Sequence, residues 1–225
     1  MKKQKPNSSK GKKAEPVKSE EIRLNRYISN AGVCSRREAD TLIAEGKIKV
    51  NGEVVSELGY KVKRSDKVEY QKRVLKAEKP QYVLLNKPSG FITTASDPQN
   101  RNTVMQLVEK ACEERIYPVG RLDRNTTGLL LFTNDGELAK RLTHPSYQIK
   151  KIYQVTLDKP LTKTDFEAIL GGLKLEDGVA EVKEMAILGD DSRNLGIEIH
   201  MGKNRIVRRI FEAVGYKVVK LDRVI

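Results

Sequence analysis

Hydrophobic positions along this chain change their period several times, and each change marks an element. Ile22, Leu24, Ile28 and Ala31 fall about a helical turn apart and predict a short first helix ending near Gly32. Ser35-Arg36-Arg37-Glu38 reads as a capping box, with Ser35 as N-cap and Glu38 reaching back. The helix it opens puts Ala39, Leu42 and Ile43 on one face and stops at Gly46. There the period drops to two. Lys47–Val50 alternates, Asn51-Gly52 is a two-residue hairpin signal, Val54-Val55 returns, and Lys67–Tyr70 adds a strand. Residues 20–70 therefore predict a small α/β unit, and 71–80, rich in Lys, Arg and Glu, a linker.

From Gln81 the texture becomes a longer mixture of strands and helices. Tyr82–Leu85, Ile116–Val119 and Leu129–Thr133 read as buried strands. Lys150–Leu157 alternates, with Tyr153 and Val155 on one face and Ile152, Gln154 and Thr156 on the other. Further strands are predicted at Val179–Leu188, Leu195–Met201 and Tyr216–Val224. Helices are predicted at Thr103–Ala111, at Gly136–Leu142 before the His144-Pro145 break, and from Thr162 to Leu170. The last helix, Lys203–Val214, carries Ile206, Val207, Ile210, Phe211 and Val214 on its apolar face and is capped by Gly215. The fold class is α+β, with residues 81–225 forming the second domain.

Composition adds a partner. The net charge of +13 over 225 residues, with a pI of about 9.6, points to a polyanion, nucleic acid before an anionic membrane surface. Residues 1–19 are Lys, Ser, Asn, Pro and Gly with almost no apolar side chains, and read as a disordered basic tail. No stretch approaches the ~18 apolar residues of a membrane span, and no apolar leader opens the chain. Cys34 and Cys112 stand apart, as reduced thiols of a cytoplasmic protein would. His144 and His200 are isolated too, so no metal site is expected.

Charge also gathers locally. Arg23, Arg26, Arg36, Arg37, Lys47 and Lys49 are the exposed cations of the first unit, and Arg36 and Arg37 sit at a helix start suited to phosphate. Arg205, Arg208 and Arg209 lie at i, i+3 and i+4, where like charges repel unless an anion is near. Between two predicted buried strands lies the polar loop Gly120–Thr127, which sets Asp123 between Arg121 and Arg124. By spacing alone Asp123 reads in two ways: a carboxylate aimed at a ligand, or an acid bonded to its own turn.

The segment Arg-Leu-Asn-Arg-Tyr-Ile-Ser-Asn-Ala-Gly-Val-Cys-Ser-Arg-Arg-Glu-Ala-Asp, followed by Ile-Lys-Val-Asn-Gly, resembles the RNA-binding domain named after the fourth protein of the small ribosomal subunit. Asn-Lys-Pro-Ser-Gly at 86–90, Gly-Arg-Leu-Asp-Arg-Asn-Thr-Thr-Gly at 120–128, Lys-Lys-Ile-Tyr at 150–153 and Gly-Lys-Asn-Arg-Ile-Val-Arg-Arg at 202–209 resemble the ribosomal RNA pseudouridine synthases. The likeness is to the branch that carries the RNA-binding domain in front, and most to its B-type enzymes, those of large ribosomal RNA.

This resemblance implies a mixed, mainly antiparallel catalytic sheet and an isomerisation of uridine in ribosomal RNA, with no cofactor and no metal; the alternatives are a non-catalytic RNA-binding or ribosome-assembly factor, or the same chemistry on small-subunit ribosomal RNA or transfer RNA. It implies Asp123 as nucleophile, toward either the anomeric carbon or the uracil ring, Arg208 as the cation beside it, and Tyr153 stacked on the uracil, with a role as base at the sugar carbon as its weaker implication. Arg121 is implied to hold the target nucleotide out of its helix, Leu221 to pack against the base, and Lys87, Arg205 and Arg209 to line the RNA path. A monomer is implied, as is a further strand beyond Ile225.

Overall fold

The computed structural model describes residues 21–225; the expected tail, 1–19, lies outside them. The described residues divide into two compact units, 21–77 and 78–225.

In the first unit, helices Leu24–Asn30 and Arg36–Ala44 lie beside a sheet in the order Glu53–Val55, Ile48–Val50, Val68–Tyr70 and Arg73–Val74. The capping box is present: Glu38 N–H donates to Ser35 Oγ at 3.2 Å, and Ser35 N–H to Glu38 Oε2 at 2.7 Å. Asn51 and Gly52 both take positive φ, as the tight hairpin demands. Leu24, Ile28, Ala39, Ile43, Ile48 and Val68 form the core, each no more than 1% exposed. The strand Ile22–Arg23, paired with Lys61–Val62, had no signal in the alternation, since each runs only two residues.

The expected linker is a correction. Arg73–Val74 pairs with Glu69 and Tyr70, and Leu75 is buried in the first unit's core. Charged residues flank a short apolar pair, Val74-Leu75, at the sheet edge, which imitates linker composition.

The second unit is built on a mixed sheet. Its strands run in the order Glu184–Ile187, Asn194–Ile199, Lys151–Leu157, Val218–Arg223, Thr127–Thr133 and Tyr82–Lys87, with Tyr117–Pro118 also pairing with Thr127–Thr133. Every pairing is antiparallel except that of Val218–Arg223 with Thr127–Thr133. Gly128 makes that exception possible. Its φ is +106°, and a Cβ there would collide with the Arg223 backbone.

The predicted strand Val179–Leu188 is divided in two. Gly178–Ala180 forms a hairpin with Leu173–Leu175, and Glu184–Ile187 joins the main sheet. Helix Ile206–Ala213 buries Ile206, Val207, Ile210 and Phe211 in the core that also holds Leu130, Phe132 and Val155. Among the described residues no helix is long and apolar enough to cross a membrane.

Candidate active site

The loop between Gly120 and Thr127 is fastened from beneath. Thr93 Oγ1 donates to Leu122 O at 2.8 Å and accepts from Leu122 N–H. Gly90 N–H donates to Arg124 O at 2.8 Å. Lys87 donates from Nζ to three carbonyls, Pro88 O at 3.0 Å, Arg124 O at 3.2 Å and Thr126 O at 2.8 Å. Its side chain is fully buried, and burial lowers its pKa while attraction from Asp123 opposes that. The expectation that Lys87 lines an RNA path is therefore corrected. This cation is enclosed because the Asn-Lys-Pro-Ser-Gly segment passes under the loop and turns its carbonyls toward it.

With the backbone so held, Leu122 and Thr126 point inward and Asp123 is exposed. Asp123 opens on a cavity of about 330 Å³, whose wall also includes Arg121, Tyr153, Arg205, Leu221 and Arg223. The strand pairing explains the assembly. Val155 lies opposite Leu221, and Tyr153 opposite Arg223, so the alternating face of one strand meets the alternating face of the next.

Tyr153 is 9% exposed. Burial raises its pKa above the ordinary phenol value. The Arg223 guanidinium, as neighbouring charge and hydrogen-bond donor, pulls the other way, and Asp123 adds to the rise. The phenol stays protonated at neutral pH, which suits a stacking ring better than a proton acceptor.

Arg208 does not reach Asp123. Its Nη1 donates to Val218 O at 2.8 Å, and no ion pair joins it to the carboxylate among the described residues. Burial and then Arg205 lower its pKa, while Asp123 raises it, so the two groups act on each other through the field rather than by contact.

Arg209 is a correction. Both its terminal nitrogens bind the Asp177 carboxylate, one at 3.0 Å, so it is not an open phosphate contact. Asp177 stands in the turn of the Leu173–Ala180 hairpin and is held well below the usual carboxylate range, to about 2, first by that hydrogen bond. Arg205 alone of the three lines the cavity; it sits at φ 45° just before the helix and lies 3.8 Å from Glu212.

Comparison with known proteins gives this arrangement a family. The pattern of the family described as RNA pseudouridylate synthase matches residues 81–213, and that of the S4 domain matches residues 22–68. The chain is 45% identical over 205 residues to a protein of Bacillus subtilis named ribosomal large subunit pseudouridine synthase B, covering 89% of this chain and 84% of that one. The chain belongs to the RNA pseudouridylate synthase family. It is 42% identical to an RNA pseudouridine synthase of Aquifex aeolicus, over 91% and 83% of the two chains. A solved structure of a pseudouridylate synthase superposes with a TM-score of 0.59 at 31% identity, over 90% and 87% of the two chains.

As a pseudouridylate synthase, the chain brings together Asp123, Tyr153, Arg121, Arg205 and Leu221 at one cavity. It leaves Lys87, Arg208 and Arg209 off the cavity wall. Arg23, Arg26, Arg36 and Arg37 belong to the S4 unit, where Arg23, Arg36 and Arg37 are exposed and Arg26 is half-buried.

Sequence reasoning missed Arg223. Its Nε and Nη2 both donate to Leu129 O, at 2.8 and 2.6 Å, and fix the guanidinium beside the Tyr153 phenol. A signal existed. Arg223 is two residues beyond Leu221 on the same strand, so the two share a face. Lys151, two residues before Tyr153, enters the same wall for the same reason.

Proposed function

We propose that this protein converts a uridine of ribosomal RNA, in the large-subunit RNA, to pseudouridine. Asp123 acts as the nucleophile that detaches the base from its ribose or traps the ring, so that carbon 5 can rejoin the sugar. Tyr153 stacks on the displaced uracil. Leu221 packs against the base, and Arg121 holds the nucleotide out of its helix, offsetting an extrusion cost of a few kcal/mol. Arg208 supports the ionised carboxylate from a distance, while Arg205 steers the phosphate backbone. The reaction needs no cofactor or metal, and the protein acts as a monomer in the cytoplasm.

The observation that carries this reading is one cavity in which an exposed carboxylate, a nearly buried phenol and a leucine meet beside Arg121 and Arg205. A purine- or pyrimidine-sized ring fits a space of about 330 Å³. The S4 unit supplies a second grip on structured RNA, which is recognised by shape and phosphate rather than by its deep groove.

The test is release of tritium from carbon 5 of uridine-labelled large-subunit ribosomal RNA, followed by mapping of the pseudouridines formed. Stoichiometric release by the intact protein and none by Asp123→Asn is the expected result. An intact protein that binds this RNA and releases nothing returns the chain to a passive RNA-binding role.

A further inference from the structure

Thr126 carries an unmet hydrogen bond at the cavity. The residue is 2% exposed, and its Oγ1 is sealed from solvent with no partner among the described residues. Its backbone is fully engaged. Its N–H donates to Asp123 O at 3.1 Å, and its carbonyl accepts from Lys87 Nζ at 2.8 Å. The side chain is therefore held in place by two main-chain bonds that close the turn begun at Asp123. Buried hydroxyls without partners are rare because each forfeits its water, so one fixed in a cavity wall calls for an explanation.

Asp123 has the complementary need. Its side chain is exposed, and among the described residues neither a hydrogen bond nor an ion pair holds the carboxylate. Water serves it while the cavity is open. A nucleotide filling the space displaces that water, and an ionised carboxylate stripped of water must find a donor. Three of the cations around the site are already engaged with carbonyls. Lys87 is enclosed by carbonyls, Arg208 is bonded to Val218 O, and Arg223 to Leu129 O. Thr126, three residues along the same turn and on the same cavity wall, has a donor to give.

We propose that Thr126 is a positioning residue for Asp123: in the occupied cavity its hydroxyl donates to the carboxylate, replacing displaced water and fixing which oxygen faces the substrate. This deepens the proposed isomerase reading and rests on it. The hydroxyl acts on Asp123, not on the RNA, so its loss slows turnover and leaves affinity nearly unchanged.

The experiment compares wild type, Thr126→Val and Thr126→Ser on large-subunit ribosomal RNA transcribed in vitro, together with the thermal unfolding midpoint of each. Valine matches threonine in shape but has no hydroxyl. The expected Thr126→Val result is a kcat lower by about 10- to 100-fold, the range of a hydrogen bond to a charged group, with KM changed less than about threefold. Its unfolding midpoint stays level or rises, since an unpaired buried hydroxyl has been removed. Thr126→Ser recovers most of the rate.

Thr126→Val with wild-type kcat overturns the proposal while leaving the isomerase reading intact. A Thr126→Val midpoint several degrees lower, with activity falling in step, also overturns it, because the hydroxyl is then structural. A wild type that forms no pseudouridine overturns the isomerase reading itself, and this inference with it.

Discussion

Two stretches of this chain place several charges within a few residues, the loop Gly120–Thr127 and the run Arg205–Arg209, and the fold treats them in opposite ways. In the loop the backbone is secured, by Thr93, Gly90 and Lys87, so the side chains of Arg121 and Asp123 are left to face outward. At the start of helix Ile206–Ala213 the side chains are themselves the fastening. Arg208 holds Val218 O, and Arg209 holds Asp177 from a hairpin 32 residues away. The lesson concerns repulsion between like charges at i, i+3 and i+4. It does demand an anion or acceptor nearby, as the spacing indicates. The fold provides a partner for each of the three arginines, Val218 O for Arg208, Asp177 for Arg209 and Glu212 for Arg205, and only Arg205 also lines the cavity.

The comparison can be broken most severely at Asp123. Asp123→Asn keeps the loop's backbone bonds and removes the nucleophile; tritium release should fall to background while RNA binding, measured by filter retention, stays within about twofold. Next comes the loop's fastening. Lys87→Met leaves Pro88, Arg124 and Thr126 carbonyls without their common donor, and should lower unfolding free energy in a urea titration by about 2–4 kcal/mol. Equal stability would show that those carbonyls do not need the lysine.

Smaller effects separate arginines at the cavity wall from those away from it. Arg121→Ala and Arg205→Ala should each reduce the slope of log affinity for ribosomal RNA against log salt by about 1, with no change in stability. Arg209→Gln should leave that slope unchanged and shift stability little, since solvent screens an exposed pair. A lost slope unit in Arg209→Gln would return that residue to the RNA path.

The smallest effect is a pH dependence. Asp177 titrates at about 2 in the folded chain against an ordinary value of 3.8. A folded pKa below the unfolded one means that the Arg209 pair contributes fully above about pH 4 and is lost as pH falls through about 2. Carbon-detected titration of the Asp177 carboxyl should show this, and Arg209→Gln should move the midpoint back toward the ordinary carboxylate range.

Much of the fold was legible because its signals are local. The capping box at Ser35, the Asn51-Gly52 turn and the alternation around Tyr153 each depend on a few adjacent residues, and each appears where the pattern put it. Errors fell where the deciding contact is distant. Arg73–Val74 becomes a strand because Val68–Tyr70 offers an edge, and Val179–Leu188 divides because its two halves find different partners. Lys87 shows the same limit at the site. A lysine in a polar loop has every sequence attribute of a surface cation, and only the carbonyls converging on it from positions 88, 124 and 126 make it a buried strut.

By itself the sequence determined the two units, the residue types that meet around Asp123, and the excess of positive charge that asks for a polyanion. Tertiary structure decided which cations are free to meet one, that Arg223 stands beside the Tyr153 phenol, and that Thr126 keeps an unpaired hydroxyl under the carboxylate's own turn. Periodicity and capping follow from bonds between neighbours in the chain, whereas a charge's availability depends on which distant carbonyl or carboxylate the fold happens to bring within about 3 Å of it.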